Sequence, residues 1–181
     1  MSDLELCYLP ATEAIARFKA KTLSPVELLE ALIHGADQVE PVINAFTYRH
    51  FDEAMANAKK AEAKYASGQR TRALEGLPIG IKDENFIKGK PTSSGSLIMK
   101  DFVADNTSVG NERILRAGGI VHARTATPEF SSAGYTNSRL WGVTRNPWNP
   151  EFTPGGSSGG SAASLASGTS AIATGSDIGG S

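Results

Sequence analysis

The sequence predicts an α/β fold, and three observations predict it. Apolar residues at helical spacing fill the first third of the chain. At Gly76 the texture changes to a short apolar run, then an amphipathic segment, then a second apolar run, which is the order strand, helix, strand. The last segment, residues 154–181, is rich in serine and glycine yet keeps apolar positions at Leu165, Ile172 and Ile178, so it reads as packed structure.

Each element has a local reason. Residues 11–20 place Ala14, Ile15 and Phe18 on one helical face. Ser24-Pro25-Val26-Glu27 is a helix start: Ser24 caps, Pro25 suits the first helical position and Glu27 completes a capping box. Leu28, Leu29, Leu32 and Ile33 form the stripe that follows, and Pro41 is expected to end it. Residues 52–65 are alanine-rich and amphipathic, with Gly68 as the stop. Leu77 to Ile81 reads as a strand that delivers Lys82 and Asp83 at its end. Residues 106–117 read as a helix with Val109, Ile114 and Leu115 on one face, closed by Gly118-Gly119. Ile120 to Ala123 reads as a buried strand. Residues 125–154 are loop-rich, broken by Pro128, Pro147, Pro150 and Pro154. A short helix of small residues over 160–166, a buried strand over 169–174 and a tight turn over 177–181 complete the reading.

Bulk properties narrow the function classes. With 40% hydrophobic and 20% charged residues the balance is globular, and a net charge of −1 gives no electrostatic case for nucleic acid or a membrane surface. No apolar run reaches the length of a membrane span, and the N-terminus lacks the pattern of a signal peptide. The single cysteine, Cys7, cannot form an internal disulfide, so a cytoplasmic setting is the expectation. No Cys/His cluster calls for a metal, and no cofactor motif is present.

What chemistry can the serine-rich segment support? A flexible linker does not need its apolar positions. A phosphate loop needs a lysine or glycine spacing that is absent. Gly156-Ser157-Ser158-Gly159-Gly160 fits G-x-S-x-G, but that elbow needs a preceding strand and a following histidine, and His34, His50 and His122 all lie upstream. A reacting serine therefore needs another base, and lysine is the usual substitute. Lys82, at the end of an apolar strand, is the best placed, although a single lysine is by default a solvated surface charge.

Four motifs in this order carry a resemblance: Gly-Leu-Pro-Ile-Gly-Ile-Lys-Asp, Thr-Arg-Asn-Pro-Trp-Asn-Pro, Pro-Gly-Gly-Ser-Ser-Gly-Gly-Ser-Ala-Ala and Gly-Ser-Asp-Ile-Gly-Gly-Ser. With Leu23-Ser24-Pro25-Val26-Glu27-Leu28 and Arg124-Thr125-Ala126-Thr127-Pro128-Glu129-Phe130, the chain resembles the amidase signature family over nearly its whole length. The resemblance implies a mixed β-sheet core flanked by helices. It also implies that residues 1–181 are the N-terminal portion of a single domain, helical to about 70 and α/β from about 75. The chain stops in a glycine turn, and family members continue for hundreds of residues, so a partial chain is expected.

The family's serine, cis-serine and lysine triad maps onto Lys82 as base, Ser157 as the bridging serine behind a cis peptide, and Ser181 as nucleophile. The backbone N–H groups of Ile178, Gly179 and Gly180 match its oxyanion hole. Ser158 and Asp177 either support the site or simply stabilise the turn. Ser131, Ser132, Gly134 and Tyr135 match the acyl side only by loose analogy. Two departures stand out: Ile178 replaces the more usual threonine, and Glu84-Asn85 replaces the commoner Asn-Ile, placing an acid two residues from the base.

The implied activity is hydrolysis of a small-molecule carboxylic amide to acid plus ammonia or amine through an acyl-enzyme, without metal or cofactor. No nucleic acid or membrane partner is expected, and a homodimer is left open. The alternatives are the glutaminase (A-type) component of a tRNA-dependent amidotransferase, which needs partner subunits, and an inactive truncated fragment. Thr127-Pro128-Glu129-Phe130 sits closer to stand-alone amidases than to that component's Asn-Met-Asp-Glu-Phe.

Overall fold

The computed structural model of the chain describes residues 2–181. The helical first third begins with α1 (Asp3–Cys7), unforeseen in the sequence, where Ser2 and Glu5 form a capping box. Helix α2 (Ala11–Ala20) buries Ala14 and Phe18. Helix α3 (Pro25–Ile43) starts at the foreseen box: Val26 and Glu27 donate N–H to Ser24 Oγ, and the Ser24 N–H donates to the Glu27 carboxylate at 2.7 Å. Pro41 does not end this helix, contrary to expectation; it sits in the last turn. A missing N–H there removes one hydrogen bond near an end that already leaves carbonyls unpaired. Asn44, left-handed at φ 53°, closes the helix.

Strand β1 (Phe46–Arg49) follows and was not foreseen. Its start is fixed by the buried Glu40 carboxylate, which accepts the N–H groups of Ala45 and Phe46 at 3.1 and 2.9 Å. Helix α4 (Phe51–Ala66) matches the alanine-rich segment and ends near Gly68, at φ +70°.

The strand, helix, strand unit is β2 (Pro78–Lys82), α5 (Val109–Arg116) and β3 (Ile120–Thr125). The helix starts later than expected, and Val109 is exposed. Ser108 precedes it as the capping residue, so Val109 falls in the first turn on the outer side. The residue buried there is Asn111, whose amide donates to the Phe86 carbonyl. A short hairpin of two two-residue strands, β4 (Asn137–Ser138) and β5 (Gly142–Val143), interrupts the loop-rich stretch.

Helix α6 (Gly159–Ala166) and strand β6 (Ile172–Ala173) form the serine-rich end. The strand is shorter than the expected 169–174. Thr169 donates its N–H to the Ser164 carbonyl and Ser170 meets His122, so both are buried outside the ladder.

The main sheet has the order β1-β3-β2-β6. β1 runs antiparallel to β3, while β3, β2 and β6 are parallel, which makes a mixed sheet. Ile120 packs with Leu29, Ala54 and Ala58 of α3 and α4, while Ile114 and Leu115 of α5 pack on the cluster of Ile79, Ile81 and Ile87 that Val121 also joins, so helices cover both faces. Every residue of β2 is buried, as expected for a central parallel strand. Leu28, Leu29 and Leu32 are fully buried as well; each such side chain contributes about 2 kcal/mol. In an open sheet of this kind a site forms beyond the carboxyl ends of the parallel strands. β2 ends at Lys82, and β6 leads into Thr174, Ser176 and the turn to Ser181.

Candidate active site

Three elements bring their ends together. Lys82 is the last residue of β2 and its side chain is fully buried. Its N–H donates to Thr174 Oγ1 at 2.9 Å, which ties β2 to the segment after β6. Lys82 Nζ lies 2.6 Å from Ser157 Oγ, and Ser157 Oγ lies 2.9 Å from Ser181 Oγ. The three residues singled out in the sequence thus form one unbroken chain. Ser157 is fully buried, Ser181 is exposed, and the Gly156–Ser157 peptide is cis.

Glycine explains why this loop can sit where it does. A Cβ on Gly160 would lie 2.2 Å from the backbone nitrogen of Ala126, and one on Gly156 would lie 2.8 Å from that of Tyr135. Backbone packed directly on backbone, with no room for a side chain, sets the start of α6 and hence Ser157. Ser158 fixes the other side: it accepts the Ser176 N–H at 3.1 Å and donates to the Ser176 carbonyl at 3.3 Å.

The turn before Ser181 wraps around a carboxylate. Asp177 Oδ1 accepts the N–H groups of Gly180 at 2.5 Å and Ser181 at 3.0 Å, and these bonds hold its carboxyl below the ordinary value. A turn that gathers backbone donors around one oxygen suits an anion. In this arrangement the Gly180 N–H is engaged by Asp177, while the Ile178 side chain is exposed. A cavity of about 250 Å³ opens beside it, lined by Ser131, Ser132, Ala133, Gly134 and residues 178–181. Tyr135 is not among its lining residues.

Burial pushes the Lys82 amine below its ordinary value, and the neighbouring Glu84 carboxylate opposes that shift. Glu84 Oε1 is 3.5 Å from Nζ. Burial would raise the Glu84 carboxyl, but the hydroxyls of Ser131 and Ser176 and the Lys82 charge together hold it low. Beneath the site, Asp83 turns away and meets Arg124, both fully buried and 3.6 Å apart. Arg124 Nη2 donates to the carbonyls of Lys82 and Asn85, and Asp83 accepts from the Ser93 backbone and hydroxyl. This pair braces the turn that follows Lys82.

Sequence reasoning missed Ser176, whose Oγ accepts from Lys82 Nζ at 2.7 Å, and missed the bracing role of Asp83 and Arg124. A serine inside a serine-rich run carries no distinguishing mark, and a buried ion pair assembled from two strands has no local spacing. Among the described residues, no group of three or more His, Cys, Asp or Glu side chains is placed to hold a metal ion, and no helix is long and apolar enough to cross a membrane.

A buried lysine joined through two serine hydroxyls, at the carboxyl ends of a mixed α/β sheet, defines the class of domain. The family model described as Amidase matches residues 27–181, and the chain belongs to that family. It is 38% identical over 162 residues to the A-type component of the glutamyl-tRNA(Gln) amidotransferase of Trichodesmium erythraeum, covering 90% of this chain and 33% of that one. It is 38% identical over 171 residues to the indoleacetamide hydrolase of Bradyrhizobium diazoefficiens, covering 94% of this chain and 33% of the relative. Among solved structures it is similar to a fatty acid amide hydrolase, with a TM-score of 0.92 at 28% identity over 97% of this chain and 31% of the other. A bacterial aryl acylamidase of the amidase signature family superposes with a TM-score of 0.81 at 32% identity, over 86% of this chain and 33% of that one. The chain thus spans about a third of the length of the relatives it matches.

Proposed function

We propose that this chain supplies the N-terminal part of an amidase signature domain, with the reacting groups of a serine amidohydrolase. The observation that carries the reading is the continuous path from Lys82 Nζ to Ser157 Oγ at 2.6 Å and on to Ser181 Oγ at 2.9 Å. A hydroxyl becomes a useful nucleophile only when its proton has somewhere to go. Neutral Lys82 takes a proton from Ser157, Ser157 takes one from Ser181, and Ser181 Oγ attacks the amide carbonyl. The oxyanion forms beside the N–H groups of residues 178–180, which requires the Gly180 N–H to leave Asp177 Oδ1, and each donor so released is worth about 3 kcal/mol in the transition state. Collapse expels the amine, protonated by the reversed relay, and water releases the acid from the acyl-enzyme.

The amine-side charge balance supports this direction of transfer, because burial favours the uncharged form that a base needs. The acyl group enters the cavity walled by Ser131, Ser132 and Gly134. The substrate is a small linear carboxylic amide, and a cytoplasmic setting belongs to the same proposal. Release of ammonia from a panel of primary amides by the full-length protein tests it. Turnover that survives Ser181→Ala would overturn it.

A second reading, the A-type component of a tRNA-dependent amidotransferase, is supported by the relative of that name, 38% identical over 162 residues. Co-purification of partner subunits with the full-length protein supports it; hydrolysis by the protein alone supports the first.

A further inference from the structure

We propose that Glu84 is a positioning residue, whose carboxylate directs the hydrogen bonds around Lys82 so that the amine presents its lone pair to Ser157. This rests on the relay proposed above. Glu84 lies two residues past the end of β2 with its side chain only 18% exposed. It meets three groups: Lys82 Nζ at 3.5 Å, the Ser131 hydroxyl and the Ser176 hydroxyl.

A carboxylate can only accept. Ser176 has one hydroxyl proton, and donating it to Glu84 leaves its oxygen to accept from Lys82, the contact seen at 2.7 Å. A neutral amine has two N–H groups and one lone pair. With one N–H directed to Ser176 and the other to Glu84, the lone pair is left for Ser157. The chain of donors then runs one way, from Ser181 to Ser157 to Lys82. A glutamine at position 84 breaks this logic, since its amide NH₂ can donate to Ser176. Ser176 would then turn its proton toward Lys82 and compete with Ser157 for the lone pair.

Among the described residues, the other nearby carboxylates are engaged elsewhere. Asp83, from the same strand end, faces Arg124 of β3 on the far side, where Arg124 binds the Lys82 carbonyl and not the amine. Asp177, on the turn after β6, is taken by its own backbone. Glu129, on the loop that carries Ser131, accepts from Ser96. Glu84 also links the relay to the cavity wall, because Ser131 donates to its other oxygen and lines that cavity.

The test compares the full-length protein with Glu84→Gln in two measurements. The first is an NMR titration of the Lys82 side chain, which does not require turnover. An opposite charge at this range shifts a titration midpoint by about 1 unit or more, so the Lys82 midpoint should fall by about that much in the variant. The second is the pH profile of kcat/KM. Its acid limb should move to lower pH by the same amount, while kcat drops by about tenfold and KM changes little. An unmoved midpoint, or a moved midpoint with unchanged kcat, overturns the inference. If the wild-type protein hydrolyses no amide, the proposed function fails while the titration still reads Glu84. If the wild type is active and the two profiles coincide, only the inference fails. Should Glu84→Gln not fold, Glu84→Asp draws the charge back by one methylene; a midpoint below wild type supports the role, and one equal to it overturns it.

Discussion

Lys82 is an amine with no exposed surface, and that single fact sets its chemistry. In water it would be protonated and useless as a base; burial lowers its affinity for the proton. Lys82→Met keeps the volume and removes the lone pair, so kcat/KM of the full-length protein should fall by about 10³-fold. Wild-type kinetics in that variant would remove the lysine from the mechanism. Ser157→Ala should lose nearly as much, because residues acting in series fail together. The double variant should then be scarcely worse than either single one, and additive losses would contradict a relay. At this scale the sequence was informative where a residue stood at the end of an element. Lys82 was legible because a buried strand delivers it. Ser157 and Ser181 became legible only through motif resemblance, since nothing local separates them from Ser158 or Ser176. Glu84 stands out in the sequence as a departure, but its direction depends on the turn that Arg124 holds, which no local pattern encodes.

Elements impose the next constraint. Gly160 is the second residue of α6, where alanine would be the better helix former by about 1 kcal/mol. Yet its Cβ would meet the Ala126 backbone nitrogen at 2.2 Å and the Ala45 carbonyl oxygen at 2.7 Å, atoms that cannot swing aside. The clash outweighs the propensity, and Gly160→Ala should destabilise the protein by about 2 kcal/mol in denaturant unfolding. A neutral or stabilising result would mean that α6 floats rather than docks. Ser24→Ala, which deletes the capping box of α3, should cost about 1 kcal/mol in the same assay. Helices α2 and α4 were readable because their apolar spacing and stops are local. The misses have physical causes. Pro41 was read as a terminator, but a last-turn proline forfeits little. Strand β1 depends on the carboxylate of Glu40 from the preceding helix and on pairing with β3, neither of which a four-residue window contains. Val109 shares the apolar spacing of Ile114 and Leu115 yet is exposed, because periodicity does not say where the first turn begins.

The whole molecule depends on polar groups buried in its sheet. Asp83 and Arg124 are both fully buried, so Asp83→Asn leaves a guanidinium without its counter-charge and should destabilise the protein by about 3 kcal/mol or more. His122 packs between Phe46, Phe51 and the Thr169 carbonyl, and burial depresses its pKa to about 4. Burial likewise takes His50 to about 4. A folded pKa below the unfolded one means that the unfolded chain binds the extra protons. Stability is therefore full above about pH 6.5 and falls as pH drops toward 4, by about 3 kcal/mol for His122. Unfolding free energies measured at pH 7 and pH 4.5 check this, and a flat profile would contradict it. The mixed sheet flanked by helices is what the family resemblance implies, but the convergence of three chain segments on Lys82 emerges only from the parallel order of β3, β2 and β6. That convergence predicts a serine of unusual reactivity, and the most direct measurement is mass-spectrometric mapping of a fluorophosphonate adduct on the full-length protein. One adduct is expected, on Ser181, and it is lost in Lys82→Met. An adduct on another serine, or none on Ser181 in an active enzyme, would contradict it.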